Sequence, residues 1–228
     1  MPSDSCRKIL VILIGRLGDY IVTTPFLDGL RRHYPEAEIT FVTSGKSAEL
    51  ALANPGLDRT VVFGGWHDLA GVIRTFAAAA GSYDLAVDLN PSYSRTSLWV
   101  MRMAKAPRKI AFAKRAKEGT YTATLPHDPE SEHHLDKYEH MAAYLGFKTR
   151  DDARVVPPEA ARLAGDRLFD ALGLPAGKLA VAIHPGNFKK IENRWPEEKF
   201  VEFTREILRW EGISVFYIEG PGEEKPTE

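Results

Sequence analysis

Short, uninterrupted apolar runs alternate along the chain with longer segments in which apolar residues recur every three or four positions. The first run, "KILVILIG" (8–15), is leucine-rich and β-branched and is closed by a glycine, as expected of a strand buried on both faces of a parallel sheet. "EITFVTS" (38–44), "RTVVF" (59–63), "YDLAVDLN" (83–90) and "RKIAFA" (108–113) repeat the pattern. Between them Leu69, Val72, Ile73 and Phe76 fall at i, i+3, i+4 and i+7, and Leu135, Tyr138, Ala142 and Leu145 form a second stripe that stops at Gly146. Both stripes are expected to face the core. The βαβα rhythm predicts an α/β fold with a doubly wound parallel sheet.

The rhythm pauses at "VVPPEAARLAGDRLFDALGLPAGK" (155–178), where two prolines and a helical connector intervene. A strand "LAVAIHPG" (179–186), a helix "PEEKFVEFTREILRWEG" (196–212) and a strand "ISVFYIEG" (213–220) follow. We therefore expect an N-terminal domain over 1–157, then a connector helix and the start of a second domain over 158–228. One βαβ unit leaves its sheet edges and helix face without partners, so the second domain is expected to be incomplete.

Composition narrows the function classes. Thirty basic residues balance 31 acidic ones, so no global field advertises nucleic acid. The single cysteine, Cys6, cannot form an internal disulfide and sits in a polar lead, a poor place for a nucleophile. No apolar run approaches the ~20 residues of a membrane helix, and no signal peptide is evident; the expectation is a soluble, cytoplasmic chain.

Chemistry concentrates in two loops and one charge run. In a parallel sheet ligands lie beyond the carboxyl ends of the strands, which is where the turn "GRLGD" (15–19) falls. It lacks the G-x-G-x-x-G of a nicotinamide site, and no Walker motif or metal-binding spacing occurs elsewhere; His127, His133, His134 and His140 read as surface or packing residues. Asp19 has two readings: a helix cap that accepts backbone N–H bonds, or a general base held at the sheet edge. In "HPGNFKKIENRWPEEKF" (184–200), Gly186 permits close backbone approach and Lys189, Lys190 and Arg194 supply charge ahead of a helix first turn at Pro196, Glu197 and Glu198. That suits a diphosphate, or else it is a solvated basic loop. Arg102, Lys105, Arg108, Lys109, Lys114, Arg115 and Lys117 occur without one acid among them, a solvated face or one that attracts an anionic acceptor.

Taken in order, "GRLGDYIVTTPFLDGLRRHYPEAEITFVT", "NPGLDRTVVF", "YDLAVDL", "HPGNFKKIENRWPEEKF" and "IEGPGEE" resemble glycosyltransferase family 9, the ADP-heptose lipopolysaccharide heptosyltransferases and their relatives. The resemblance implies a GT-B fold of two Rossmann-like domains, with acceptor on the first and nucleotide sugar on the second. It implies inverting, metal-independent transfer with no cofactor beyond the ADP-sugar donor, and with Asp19 as general base. Gly18 and the cations Arg102, Arg108 and Lys109 are expected on the acceptor side. Gly186 and Asn187 match the phosphate-side loop, with Lys189, Lys190 and Arg194 beside it, and Glu223 matches an acid that contacts the nucleoside.

There are two departures. Asn193 stands where the family has a lysine, and the family's later aspartate-[ST]-glycine-x-x-histidine segment has no counterpart before Glu228. The 228-residue chain is accordingly expected to have little activity by itself, and the rival reading is a non-catalytic glycan-binding domain or inactive fragment. An acceptor carried on lipid would bring peripheral contact with the inner membrane, with the Arg102 to Lys117 run facing anionic headgroups.

Overall fold

The computed structural model describes residues 6–113, 119–128, 132–150, 152–174, 177–186 and 195–219. The chain divides into two compact units, Met1–Pro158 and Glu159–Glu228.

The first unit contains β1 (Lys8–Leu13), α1 (Leu17–His33), β2 (Glu38–Ser44), α2 (Ala48–Leu52), β3 (Arg59–Phe63), α3 (Leu69–Ala79), β4 (Leu85–Asp88), α4 (Arg95–Met103), β5 (Arg108–Phe112), β6 (Ala123–Leu125) and α5 (Asp136–Leu145). Its strands form one parallel sheet in the order β3-β2-β1-β4-β5-β6. Strand order reverses beside β1, the place where open α/β sheets hold their ligands.

Burial explains why β1 carries no polar residue after Lys8: Ile9 through Leu13 are at most 1% exposed. Burying each such side chain contributes roughly 1.5–3 kcal/mol. Alternate residues serve opposite layers. Ile9, Val11 and Leu13 pack with Tyr20, Phe26, Leu27 and Leu30 of α1 and Tyr138, Met141 and Ala142 of α5. Leu10 and Ile12 pack with Ala78 and Ala79 of α3 and Val100 and Met101 of α4.

The two expected helix stripes fare differently. Tyr138, Ala142 and Leu145 are buried as expected, whereas Leu69 and Ile73 are 71% and 59% exposed. The buried residues of α3 are instead Gly71, Thr75, Ala78 and Ala79. Small side chains let this helix lie close to the sheet; Val72 and Phe76 of the expected stripe are half-buried, Phe76 against the core, while Leu69 and Ile73 are left outside. Strand β6 also escapes the sequence pattern, because a three-residue edge strand has neither an apolar run nor a second neighbour.

The second unit contains α6 (Glu159–Ala171), β7 (Leu179–Ile183), α7 (Glu197–Ile207) and β8 (Ile213–Tyr217), with β7 and β8 parallel. Phe169 meets Phe216 edge-on at 5.7 Å, and Thr204 and Tyr217 share a 2.6 Å hydrogen bond. No residue of α6 or α7 is buried, as a two-stranded sheet offers too little surface to cover two helices. Among the described residues no helix is long and apolar enough to cross a membrane.

Gly29 of α1 marks the tightest approach in the first unit. A Cβ there would lie 2.5 Å from the Lys148 carbonyl oxygen and 3.0 Å from the Phe147 ring. Gly29→Ala would gain about 1 kcal/mol of helix propensity but incur an overpacking cost of about 1–3 kcal/mol against backbone that cannot rotate away. We expect a net loss of stability, read as a lower urea midpoint.

Candidate functional site

The site grows out of the end of β1. Up to Leu13 its backbone is paired on both sides, with β2 and β4. Strand β4 stops at Asp88, and after Leu89 N–H donates to the Ile12 carbonyl at 2.9 Å no strand remains there to accept from β1. The Asn90 side chain takes over: its Oδ1 accepts from Ile14 N–H at 2.9 Å. From the β2 side, Ser44 Oγ donates to the Gly15 carbonyl at 2.5 Å. Strands on both flanks thus clamp the turn through polar side chains at their carboxyl ends.

The clamp has a buried foundation. Asp88 is fully buried, and its Oδ1 accepts from Asn90 N–H at 3.0 Å and from Asn90 Nδ2 at 2.8 Å. The Tyr121 hydroxyl donates to Asp88 Oδ2 at 2.7 Å. Burial, together with the Asp88 charge and this bond, raises the Tyr121 pKa, so the phenol stays protonated as a donor. Because the amide Nδ2 is committed to Asp88, Asn90 must turn its Oδ1 toward Ile14.

Asp19 follows at the start of α1. The helix cap is Arg16, and Asp19 is its N3 residue, whose Oδ2 accepts from Arg16 N–H at 2.7 Å. The capping expectation therefore holds with a shift in position: the carboxylate reaches back over the turn. Glycine at position 15 makes room for it, since a Cβ there would lie 2.8 Å from Asp19 Oδ2. The side chain is exposed, and Arg16 is its hydrogen-bond donor among the described residues. The helix N-terminus adds its positive dipole end.

From α5, Lys137 is 4% exposed, its Nζ lies 3.3 Å from His134 Nδ1 and 5.1 Å from the centre of the Tyr138 ring. Burial lowers its pKa, and the charges of Asp19 and Glu132 act in the opposite direction. Burial and the Asp19 charge raise the pKa of Tyr138. Glu132 gathers His127 and His140, the latter at 2.8 Å. Burial pushes its carboxyl up, and the two imidazole bonds and charges more than reverse this, leaving its pKa lowered.

The other expected residues lie elsewhere. Gly18 is exposed within the same turn of α1, with nothing within 4 Å of a Cβ built on it. Arg108 and Lys109 open β5, so they stand at the amino edge of a sheet whose carboxyl edge carries Asp19. Lys109 Nζ donates to the Met101 carbonyl at 2.8 Å, and burial lowers its pKa. Arg102 lies in the last turn of α4, its Nε 3.4 Å from Thr120 Oγ1. The structure does not bring these three cations together with Asp19. At Cys6 burial, then the Asp84 charge, pushes the thiol up to about 11, which disfavours the thiolate.

Gly186 ends the described part of the loop that follows β7, and Pro196 caps α7 with Glu197 and Glu198 in its first turn. Asn187, Lys189, Lys190, Arg194 and Glu223 lie outside the described residues.

Sequence reasoning passed over Asn90, Ser44, Asp88 and Tyr121. The signal for the first three was their place at the carboxyl ends of the strands flanking β1, beside the switch in strand order. Nothing in the sequence pattern marks Lys137.

The profile of glycosyltransferase family 9 (heptosyltransferase) matches residues 76–227, two thirds of the chain. A comparison with curated proteins finds no match. Among solved structures, the family 9 glycosyl transferase of Veillonella parvula is 24% identical with a TM-score of 0.81 over 97% of this chain. The chain spans 64% of that protein's length. E. coli heptosyltransferase WaaC with ADP-2-deoxy-2-fluoro heptose is 18% identical, TM-score 0.63, over 94% of this chain and 70% of that one. E. coli ADP-heptose lps heptosyltransferase II is also 18% identical, TM-score 0.64, over 92% of this chain and 63% of its own. The fold is therefore the Rossmann-like α/β fold of GT-B glycosyltransferases.

Two substitutions test the clamp. Asn90→Ala leaves the Ile14 N–H without its acceptor and removes the Nδ2 donor to buried Asp88, so we expect a loss of about 1–3 kcal/mol in urea unfolding and faster hydrogen exchange at Ile14. Gly15→Ala should spare overall stability more but force the Asp19 carboxylate away, with exchange quickening at the Arg16 amide.

Proposed function

Since the chain belongs to glycosyltransferase family 9, we propose that it forms the acceptor-side domain and part of the donor-side domain of an inverting sugar transferase in which Asp19 is the general base. The observation that carries this reading is the geometry of Asp19. One carboxylate oxygen is tied to Arg16 N–H while the side chain stays exposed at the carboxyl edge of the sheet, beside the switch in strand order.

In the proposed reaction an acceptor hydroxyl attacks the anomeric carbon of the donor from the face opposite the nucleoside diphosphate. The Asp19 carboxylate takes the hydroxyl proton as the new glycosidic bond forms, the bond from the anomeric carbon to the phosphate oxygen breaks, and its electron pair leaves with the diphosphate. Holding the base by a backbone N–H fixes its direction before the acceptor arrives, which lowers the entropic part of the barrier. Negative charge building on the leaving phosphates calls for N–H groups and cations; the loop after β7, with Gly186, Asn187, Lys189, Lys190 and Arg194, has the composition to supply both. Glu223 is assigned to the nucleoside. In this scheme the cations perform the role a metal would otherwise fill.

The donor is an ADP-activated heptose or related sugar and the acceptor a lipopolysaccharide or other surface glycan. Support for the donor comes from E. coli heptosyltransferase WaaC, seen in one structure with ADP and in another with ADP-2-deoxy-2-fluoro heptose.

In a protein carrying the segments present in the longer relatives, Asp19→Asn should lower kcat by about 10²–10⁴-fold while donor affinity, read by calorimetry, changes little. A near wild-type transfer rate would exclude Asp19 as the base and leave the family and fold untouched.

A further inference from the structure

Among the described residues Lys137 is the only buried cation, and its place is unfavourable on two counts. It is 4% exposed, and it lies in the first turn of α5, where the helix dipole presents its positive end. Long basic side chains ordinarily carry their charge out to water. This one does not.

Its direct contacts do not offset that cost. The Nζ has His134 Nδ1 at 3.3 Å and the centre of the Tyr138 ring at 5.1 Å, although an ammonium has three donors to place. Among the described residues it forms no ion pair: Glu132 is engaged by His127 and His140, and Asp136 lies 3.8 Å from His133.

The start of α5 stands against the strand ends that carry the Asp19 turn. The Tyr138 hydroxyl reaches the Leu89 carbonyl at 3.5 Å, one residue before the Asn90 that holds Ile14 N–H. Leu135 and Tyr138 line a small cavity with Val22 and Pro25 of α1, and Tyr138 packs with Leu13 and Tyr20, which flank the turn on either side. Lys137 is thereby fixed near the turn by its neighbour in sequence, and the Asp19 charge acts on both residues.

The titratable groups that face Lys137 are Asp19 from α1, Glu132 and His134 from the segment before α5, and Tyr138 from α5 itself. Glu132 is already held by two imidazoles, whereas the hydrogen-bond donor to Asp19 among the described residues is a backbone N–H. Asp19 is therefore the carboxylate that a buried ammonium here can influence most.

We propose that Lys137 is a positioning residue for sugar transfer, which acts through Asp19 by keeping that carboxylate in its charged, proton-accepting form. The inference rests on the reading of Asp19 as the base. Before the acceptor arrives, the nearby ammonium favours the ionised carboxylate. After the hydroxyl proton has moved to Asp19, the same charge favours its release to water, which restores the base. No bond is made to Lys137 in either step, and its burial limits screening by salt.

The coupling is read first in the 228-residue protein without substrate. Interaction between two charges is reciprocal, so Asp19→Asn removes a charge that favours the ammonium. Burial already lowers the Lys137 pKa; we expect the substitution to lower its titration midpoint further, by about half a pH unit, in NMR of the lysine side chains. An unmoved midpoint would overturn the proposal and leave Asp19 as the base. In a protein carrying the segments of the longer relatives, Lys137→Met should move the acid limb of the kcat/KM profile to higher pH by a similar amount. Acceptor KM should change little and melting should be undiminished, since a buried charge has been removed; Lys137→Arg should restore the limb. An acid limb that stays in place in a folded Lys137→Met protein would overturn the proposal. A near wild-type transfer rate in Asp19→Asn would instead overturn the base reading, and this role with it.

Discussion

A strand hydrogen-bonded on both edges and covered on both faces has no freedom left, and β1 is such a strand. Every backbone group in it must find a partner, and the side chains from Ile9 to Leu13 must be apolar. The constraint becomes informative where it ends. At Ile14 the neighbouring strand β4 has run out, and an unpaired N–H at this depth would be costly; Asn90 resolves it with a side-chain oxygen. The chain can then turn within three residues, and Asp19 emerges on the first turn of α1 with its direction fixed by Arg16 N–H.

Strength in this clamp comes from commitment of donors. Asp88 accepts from the Asn90 backbone N–H, from Asn90 Nδ2 and from the Tyr121 hydroxyl, and the Asn90 amide oxygen is turned to β1. Such networks are costly to build without water and rigid once satisfied. That suits a turn that has to offer a carboxylate to an incoming hydroxyl in one orientation.

The two helical layers illustrate opposite solutions to packing on one sheet. Large residues of α1 and α5 interlock on one face, while on the other α3 approaches through Gly71, Thr75, Ala78 and Ala79. Close approach by small residues leaves Leu69 and Ile73 outside. The exposed apolar surface is thus a direct consequence of how α3 sits.

The sequence by itself determined the strands that are buried on two faces, because only an unbroken apolar run is compatible with that environment; it also placed the glycine turn, Asp19 and the ordered motifs of the family. Local pattern could not say which face of α3 meets the sheet, since Gly71 and Ala78 read as neutral while Leu69 and Ile73 read as core. It could not separate Arg108 and Lys109 from Asp19 either, because distance along a charge run says nothing about which edge of a sheet a residue occupies. Those outcomes, with the meeting of Ser44, Asn90, Asp88 and Tyr121 around one turn, were decided by tertiary structure: they are pairings between residues far apart in the chain, set by strand order and by where each strand stops.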